Sequence, residues 1–356
     1  MIYAGNEIYN SLLEINFAKK KVFIRCDFNC PVNDYFKIEC AIPTIKYIIT
    51  QQCSHIILAT HYGRPKSTNE YSTKHFLTIL EKLLNTTIYF LPNGLNTNDS
   101  EISSPGIYLM ENTCYHHYEE SPTDNWNQLF TVDVFCNEAF SCSHRNHTSM
   151  TKIHAKENCL GKCFENEIQE LNKFKTNENT MCKLKKMVIL GGNKINEKLP
   201  MLRKLAKNID VIFIAGNTLN HRESYANILN ELHSYQATII LANDGFGKVD
   251  GNECQYIHNI NTPNMDWIIK DVGPNTILQL QSIIDTMDLI FWNGTLGIVE
   301  SPVYKRGSLL LLHALNHCKA DVIICGGTTA RFVKKYPNTL KHISTGDGAS
   351  IHYLGE

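Results

Sequence analysis

Cationic and polar side chains stand at the ends of successive apolar runs in the first half of the chain. Asp27 and Asn29 follow VFIRC, His61 and Arg64 follow HIILAT, and Arg145 lies in the later segment CSHRNH. Open α/β sheets bind ligands at the carboxyl ends of their strands, so we expect these side chains to converge at one sheet edge. Such an edge suits a small acidic metabolite. An ordinary turn explains Asp27 and Asn29 equally well.

A second candidate site lies just past the middle of the chain, in KKMVILGGNKINEK at residues 185–198. The apolar residues 187–190 predict a buried strand, Gly191 and Gly192 end it, and an amphipathic helical pattern follows. Backbone N–H groups of such a turn and helix start can face an anion, with Lys194 and Lys198 one helical turn apart. This pattern suits a polyphosphate. An ordinary strand-to-helix turn remains open, because the spacing is not a Walker sequence.

The elements that position these residues alternate between apolar strands and helices. In the second half, strands followed by glycine turns occur in KMVILGG, NIDVIFIAGN, ATIILAND, DLIFWNGTLG, DVIICGGTTA and LKHISTGDGAS. This alternation predicts an α/β fold of two lobes, each a parallel sheet flanked by helices. The helical stripe in FENEIQELNKF and the polar run after it separate the lobes. We therefore expect a first lobe at 1–160, a hinge helix and linker at 161–182, and a second lobe at 183–356.

Composition narrows the class of partner. A chain of 356 residues with 43% apolar residues can bury two cores. Its 34 basic and 35 acidic residues nearly balance, which argues against nucleic acid or membrane and favours a small-molecule partner. The 13 cysteines, an odd number scattered through apparent strands, indicate a reducing compartment. Without an apparent leader or membrane span, we expect a cytoplasmic protein, and a monomer.

Nine segments in order resemble the signature stretches of the phosphoglycerate kinase family, nearly from end to end. They are RCDFNCPV, HYGRP, LMENTCYHH, CNEAFSCSHRNH, LGGNKINEK, DVGPNT, FWNGTLGIVE, ICGGTTA and HISTGDGAS. The resemblance implies a glycolytic enzyme that transfers a phosphoryl group between 1,3-bisphosphoglycerate and ADP, giving 3-phosphoglycerate and ATP. It also implies Mg²⁺ on the ATP or ADP, and hinge closure that excludes water.

The resemblance assigns roles position by position. The residues that would bind 3-phosphoglycerate are Asp27, Asn29, Lys37, His61, Arg64 and Arg145. Those that would bind the nucleotide are Lys194, Lys198, Asn293, Glu300, Gly326, Gly327, Thr328 and Thr329. Those nearest the transferred group would be Lys37, Lys194, Lys198, Gly346 and Gly348. No metal ligand is assigned.

Four positions depart from the family pattern. Lys37 stands where the family has a catalytic arginine, which keeps the charge but loses the planar fork. Cys114 replaces a substrate-binding arginine, and Thr328 replaces the acidic residue associated with the metal. Asp347 puts a carboxylate into a glycine turn, where we expect it to repel a phosphate. A metal ligand relocated to Asp347 or Asp244 is a hypothesis.

Two functional interpretations therefore stay open. The first is a divergent but working phosphoglycerate kinase, favoured by the intact residues of both half-sites. The second is a catalytically silent relative that keeps a nucleotide- or phosphate-binding cleft, favoured by Cys114, Thr328 and Asp347. An unrelated dinucleotide oxidoreductase is disfavoured because no GxGxxG follows a predicted strand.

Overall fold

The computed structural model describes residues 2–4, 7–31, 33–67, 70–123, 126–175, 184–192, 198–206, 208–220, 230, 237–249, 251–260 and 267–355. The chain divides into two compact units, Met1–Ile168 and Gln169–Glu356, called unit 1 and unit 2 below. Each contains a six-stranded parallel sheet flanked by helices, which confirms the predicted fold class. The boundary falls within a helix at Lys162–Lys175. Residues 176–183, most of the expected linker, lie outside the described residues, and the hinge stays a prediction.

Unit 1 opens with two short antiparallel strands and continues into a sheet of strand order β5-β6-β4-β3-β7-β8. The strands are β1 (Ile2–Ala4), β2 (Glu7–Tyr9), β3 (Lys21–Arg25), β4 (His55–Ala59), β5 (Ile88–Leu91), β6 (Gly106–Met110), β7 (Val134–Asn137) and β8 (Glu157–Leu160). The helices are α1 (Phe36–Thr50), α2 (Leu77–Leu84), α3 (Thr148–Thr151) and α4 (Lys162–Lys175).

The central strands of unit 1 are buried on both faces, which explains their uninterrupted apolar runs. Val22, Phe23 and Ile24 have no exposed surface. Helix α1 packs its apolar stripe, including Ile38 and Ile45, into the same core. The sheet is thereby fixed, and the polar residues that follow each strand are held at one edge.

Unit 2 contains a parallel sheet of order β11-β10-β9-β15-β16-β17. Its strands are β9 (Lys186–Leu190), β10 (Val211–Ile214), β11 (Thr238–Leu241), β15 (Leu289–Asn293), β16 (Asp321–Cys325) and β17 (His342–Ile343). The described helices wholly within it are α5 (Leu199–Leu205), α6 (Pro274–Ile284), α7 (Arg306–His317), α8 (Gly327–Lys334) and α9 (Gly348–Gly355).

Unit 2 also contains a three-stranded antiparallel sheet that the sequence patterns did not predict. Its strands are β12 (Gly245–Val249), β13 (Asn252–Ile257) and β14 (Trp267–Val272), with β12 in the middle. Among the described residues, no helix is long and apolar enough to cross a bilayer.

Candidate functional site

The carboxyl edge of the unit 1 sheet brings together several of the predicted substrate residues. Asp27, just after β3, pairs with Lys37 in the first turn of α1, with 2.6 Å between Nζ and Oδ2. Ser141, in the loop after β7, donates a hydrogen bond to the same carboxylate oxygen. Asp27 is only 7% exposed, so the loop after β3 holds a buried, doubly engaged carboxylate.

Burial, nearby charges and hydrogen bonds together determine the protonation states of Asp27 and His61. Burial alone would raise the pKa of Asp27, but the charge of Lys37, interaction with His61, and hydrogen bonds from Lys37 and Ser141 hold it well below its ordinary value. Burial lowers the pKa of His61 to about 4, and Asp27 only partly opposes this. His61 is therefore neutral at neutral pH, and a hydrogen-bonding rather than a cationic role follows for it.

Asn29 and the two predicted arginines surround this pair. The Asn29 side-chain oxygen accepts a hydrogen bond from Gly63 N at 2.9 Å, which holds the turn that carries the exposed Arg64. Arg145 is half-exposed after β7, and its charge also lowers the pKa of His61. The structure thus brings Asp27, Lys37, His61 and Arg145 into electrostatic contact at one edge.

Asn112, just after β6, connects its own loop to the loop that follows β4. Its buried side-chain oxygen accepts hydrogen bonds from Tyr62 N and Cys114 N, each at 3.0 Å. Its amide nitrogen donates to Tyr62 O at 2.6 Å and to Tyr71 O at 2.9 Å. All of these partners are backbone atoms, so Asn112 positions the loops without presenting a group to a ligand.

Arg25 is a functional candidate that the sequence patterns did not single out. It ends β3 with no exposed surface, and its Nε donates to Ser149 Oγ at 2.7 Å. Its Nη2 lies 3.7 Å from Glu119 Oε1 and 3.4 Å from His61 Nδ1. A charged residue inside the apolar run VFIRC was the available signal, because a buried arginine requires partners. Arg25 therefore positions His61 from the buried side of the sheet edge.

The thiol of Cys114 is neutral beside these groups. Burial, reinforced by Glu119, raises the pKa of its thiol to about 12, although Arg25 opposes the shift. A half-buried thiol of this kind carries no charge at neutral pH. The expectation that this position supplies no cationic contact is consistent with its surroundings.

Unit 2 contains a cavity of about 640 Å³ at the carboxyl ends of its parallel strands. The predicted residues that line it are Lys198, Asn293, Glu300, Gly326, Gly327, Thr328, Thr329 and Gly348. Gly346 is buried beside it, and Lys194 lies outside the described residues. Sequence patterns did not single out Asn217, Lys270 or the three isoleucines 268, 269 and 298, which also line the cavity.

Two glycine turns form the floor of this cavity by close backbone contact. A Cβ at Gly191 would lie 2.2 Å from Thr295 O, and one at Gly294, where φ is +93°, would lie 2.3 Å from Gly191 O. Gly191 N donates to Asn293 O at 2.9 Å, which joins the ends of β9 and β15. Side chains are excluded here, so a ligand can approach the backbone itself.

Of the two lysines among the described lining residues, Lys198 is the more deeply buried. It is 6% exposed and directly precedes α5. Its Nζ donates to Gly191 O at 2.7 Å and to Asn293 O at 3.2 Å. Both carbonyls belong to the glycine turns, so the ammonium group is fixed where strands β9 and β15 end.

The two candidate metal carboxylates differ sharply in their surroundings. Asp244 has no exposed surface and accepts hydrogen bonds from Thr276 N, Thr276 Oγ1, Asn275 N and Tyr256 Oη at 2.6–2.9 Å. It holds the start of α6 and does not line the cavity. Asp347 does line the cavity, and its Oδ1 accepts from Gly327 N at 3.1 Å.

The sequence model of one family, described as "Phosphoglycerate kinase", matches residues 12–228 and 218–356. A phosphoglycerate kinase from Helicobacter hepaticus is 32% identical over 97% of this chain and 93% of its own. One from Mycoplasmoides gallisepticum is 29% identical over 97% and 95%.

Solved structures show the same architecture. Phosphoglycerate kinase from Pyrococcus horikoshii superimposes with a TM-score of 0.80 at 22% identity, covering 98% of this chain and 96% of its own. The enzyme from Coxiella burnetii gives 0.79 at 23% identity, with the same coverage. At these identities the structures define the fold class, a two-unit α/β protein. The sequence matches go further, and the chain belongs to the phosphoglycerate kinase family. The family predicted from the nine sequence segments is confirmed.

Proposed function

We propose that this chain catalyses reversible transfer of a phosphoryl group between 1,3-bisphosphoglycerate and ADP, giving 3-phosphoglycerate and ATP. The observation that carries the proposal is the cavity of unit 2, where Lys198, two glycine turns and the starts of α8 and α9 surround one space. Backbone N–H groups at helix starts and a fixed ammonium group suit a polyphosphate. Family membership over almost the whole chain supports the choice of reaction.

In this proposal the edge of unit 1 holds the acidic substrate. Arg64 and Arg145 supply charge at the surface, while Lys37 is held in place by Asp27. Neutral His61 supplies a hydrogen bond, because its buried ring does not protonate at neutral pH. Asp27, predicted to bind 3-phosphoglycerate, also accepts hydrogen bonds from Lys37 and Ser141, and Asn112 acts as a positioning residue because its bonds go to backbone atoms.

The donor set of the unit 2 cavity fits a nucleotide carrying Mg²⁺. The carboxylate of Asp347 and the hydroxyl of the exposed Thr328 both line it. These are oxygen donors of the kind that Mg²⁺ takes from proteins alongside substrate phosphates. When bound, the cation would neutralise charge on the phosphate oxygens.

The chain's own residues contribute position and charge, since phosphoryl transfer asks little covalent chemistry of the protein. Lys198 and the N–H groups at the start of α9 lie where negative charge has to be stabilised. Asn293 and Glu300 would hold the sugar. The apolar side chains of Ile268 and Ile298, both substantially exposed in the cavity wall, offer a surface for the base.

A coupled assay of the purified chain with 3-phosphoglycerate and Mg-ATP tests the proposal. We expect measurable turnover, and loss of about 10²-fold or more in kcat for Lys198→Ala, because one fixed charge donor to the transferred group is removed. Lys204→Ala provides the matched control, as Lys204 is exposed on the same helix α5. Its activity should equal that of the wild type.

Two other results would contradict the proposal. Equal inactivity of wild type and Lys198→Ala, with ADP still bound, would identify a catalytically silent relative. Unchanged activity of Lys198→Ala would remove Lys198 from the site. The cytoplasmic, reducing location belongs to the same proposal, supported by the twelve free cysteines of the described residues.

A further inference from the structure

Asp347 places a carboxylate among the glycine turns and helix starts that line the unit 2 cavity. Its Oδ1 accepts a hydrogen bond from Gly327 N, the first residue of α8, at 3.1 Å. It also directly precedes α9, which begins at Gly348. Its backbone is left-handed, with φ at +49°, a conformation that aspartate tolerates better than most residues. The carboxylate thus satisfies one helix start from within the cavity.

The two lysines in the described cavity wall differ in how far their charge is neutralised. Lys270 Nζ lies 2.7 Å from Glu253 Oε2, whereas Lys198 Nζ donates to two neutral backbone carbonyls and keeps its charge for a phosphate. A metal-free polyphosphate bound by Lys198 also meets the negative charge of Asp347 in the same cavity lining. A divalent cation on the phosphates reverses that interaction, because a carboxylate attracts it.

The neighbouring carboxylates offer no equal alternative. Asp244 is saturated by its bonds to α6 and the residues beside it and lies outside the cavity lining. Glu300 also lines the cavity, but it lies in the segment after β15, at the position that the family resemblance assigns to the ribose. Within the described part of the chain, Asp347 is the carboxylate bonded to a helix start inside the cavity.

We propose that Asp347 binds the divalent cation of the metal–nucleotide complex and disfavours the metal-free nucleotide at the same site. This inference rests on the proposed nucleotide site of unit 2. The Asp347 carboxylate would attract the nucleotide when a divalent cation is bound to its phosphates. The same carboxylate would repel the phosphates when the cation is absent. It also gives the chain an acidic metal partner although position 328 holds a threonine.

Calorimetric titration of the full chain with ADP, once with Mg²⁺ and once with a chelator, tests the inference without using turnover. We expect Mg²⁺ to tighten ADP binding to the wild type by roughly tenfold or more. In Asp347→Asn, metal-free ADP should bind about tenfold more tightly than to the wild type, and the effect of Mg²⁺ should nearly vanish. The amide keeps an oxygen that can accept from Gly327 N, so the loop is preserved.

Two further variants separate the outcomes. Asp285→Asn removes an exposed carboxylate of unit 2 outside the cavity and should leave both affinities unchanged. Asp347→Gly relieves the left-handed backbone and should show the same loss of Mg²⁺ dependence, so misfolding cannot explain a shared result. An Mg²⁺ effect that survives in Asp347→Asn but disappears in Glu300→Gln would overturn the inference while leaving the nucleotide site intact. Absence of ADP binding in both buffers would overturn the proposed function as well.

Discussion

The ammonium group of Lys37 lies 2.6 Å from the Asp27 carboxylate, and Asp27 is buried while Lys37 is one-quarter exposed. The pair therefore has a fixed, buried anion and a cation that extends toward the surface from the start of α1. Removing Lys37 would leave the buried carboxylate of Asp27 without its main cation, which is costly in a protein interior. The same ion pair therefore affects both the charge offered to a substrate and the stability of unit 1.

We expect Lys37→Met to lower kcat/KM for 3-phosphoglycerate by about 10²-fold, because a fixed charge donor is lost. Steady-state kinetics with varied 3-phosphoglycerate measures this. Lys46→Met is the matched control, since Lys46 is exposed on the same helix. Wild-type kcat/KM in Lys37→Met would mean that Lys37 does not act on the substrate. A melting curve of each variant separates loss of function from loss of fold.

The buried histidines predict acid sensitivity of unit 1. Burial lowers the pKa values of His61 and His147 to about 4, below their value of 6.5 in the unfolded chain. Between these values the unfolded state binds protons that the folded state does not. The contribution of each histidine to the free energy of unfolding should therefore fall as pH drops from 6.5 toward 4, by ~1.4 kcal/mol per pH unit, against the opposite contribution of buried Glu138, whose pKa burial raises to about 8.

Urea unfolding across this pH window checks the prediction. His147→Gln should show a shallower decrease in stability at low pH, because one proton uptake is removed. His154→Gln should keep the wild-type slope, as His154 is exposed. Identical slopes in all three proteins would refute the assignment.

Asp271 predicts the opposite pH dependence in unit 2. Burial raises its pKa from 3.8 to about 7, although hydrogen bonds from Gly307 N and Val272 N oppose the shift. The folded state keeps a proton that the unfolded state releases, so the contribution of Asp271 to stability decreases as pH rises from 4 to 7. Asp271→Asn should abolish this decrease, and Asp285→Asn should not. Measuring the unfolding free energy of both variants from pH 4 to 7 tests this prediction.

Gly251 and Gly294 have similar backbone conformations, so substitutions there distinguish the cost of backbone strain from the cost of a steric clash. Gly294 and Gly251 have φ of +93° and +83°, but only at Gly294 would a Cβ meet backbone, 2.3 Å from Gly191 O. Gly251→Ala should cost about 1–3 kcal/mol of unfolding free energy through its backbone alone. Gly294→Ala should cost roughly 1–3 kcal/mol more and should weaken ADP binding, because the cavity floor has to shift. Equal losses in the two variants would contradict the close contact.

Sequence patterns predicted the parallel sheets because buried strands such as Val22–Ile24 form continuous apolar runs. They missed the antiparallel sheet of unit 2 for the same physical reason. Strand β12 is GFGKV and β13 is NECQYI, whose glycines and exposed polar residues give neither an apolar run nor clear alternation. Pairing across β12, rather than any local pattern, makes these segments strands.

The residues of the two candidate sites were likewise predicted only in part. Residues at strand ends, such as Asp27 and His61, were predicted because strand position fixes where they lie. A metal-binding role for Asp347 or Asp244 was a hypothesis from the sequence, but the hydrogen bond from Gly327 N to Asp347 was not predicted, since it joins positions far apart in sequence. We expected its charge to repel a phosphate, and the structure adds that the same charge is held on a helix start. The partners of Arg25 were not predicted either, because Glu119 and Ser149, which lies in α3, are far from β3 in the sequence. The charged residue inside an apolar run indicated only that Arg25 needs partners.

Asn112 has a consequence for the motions of unit 1. Its amide bonds the backbone of Tyr62, Tyr71 and Cys114 at once. Because one side chain bonds both the loop after β4 and the loop after β6, neither can open without breaking bonds that also restrain the other. Their amide protons should exchange with solvent in a concerted manner, as a single cooperative patch rather than as separately fraying strand ends.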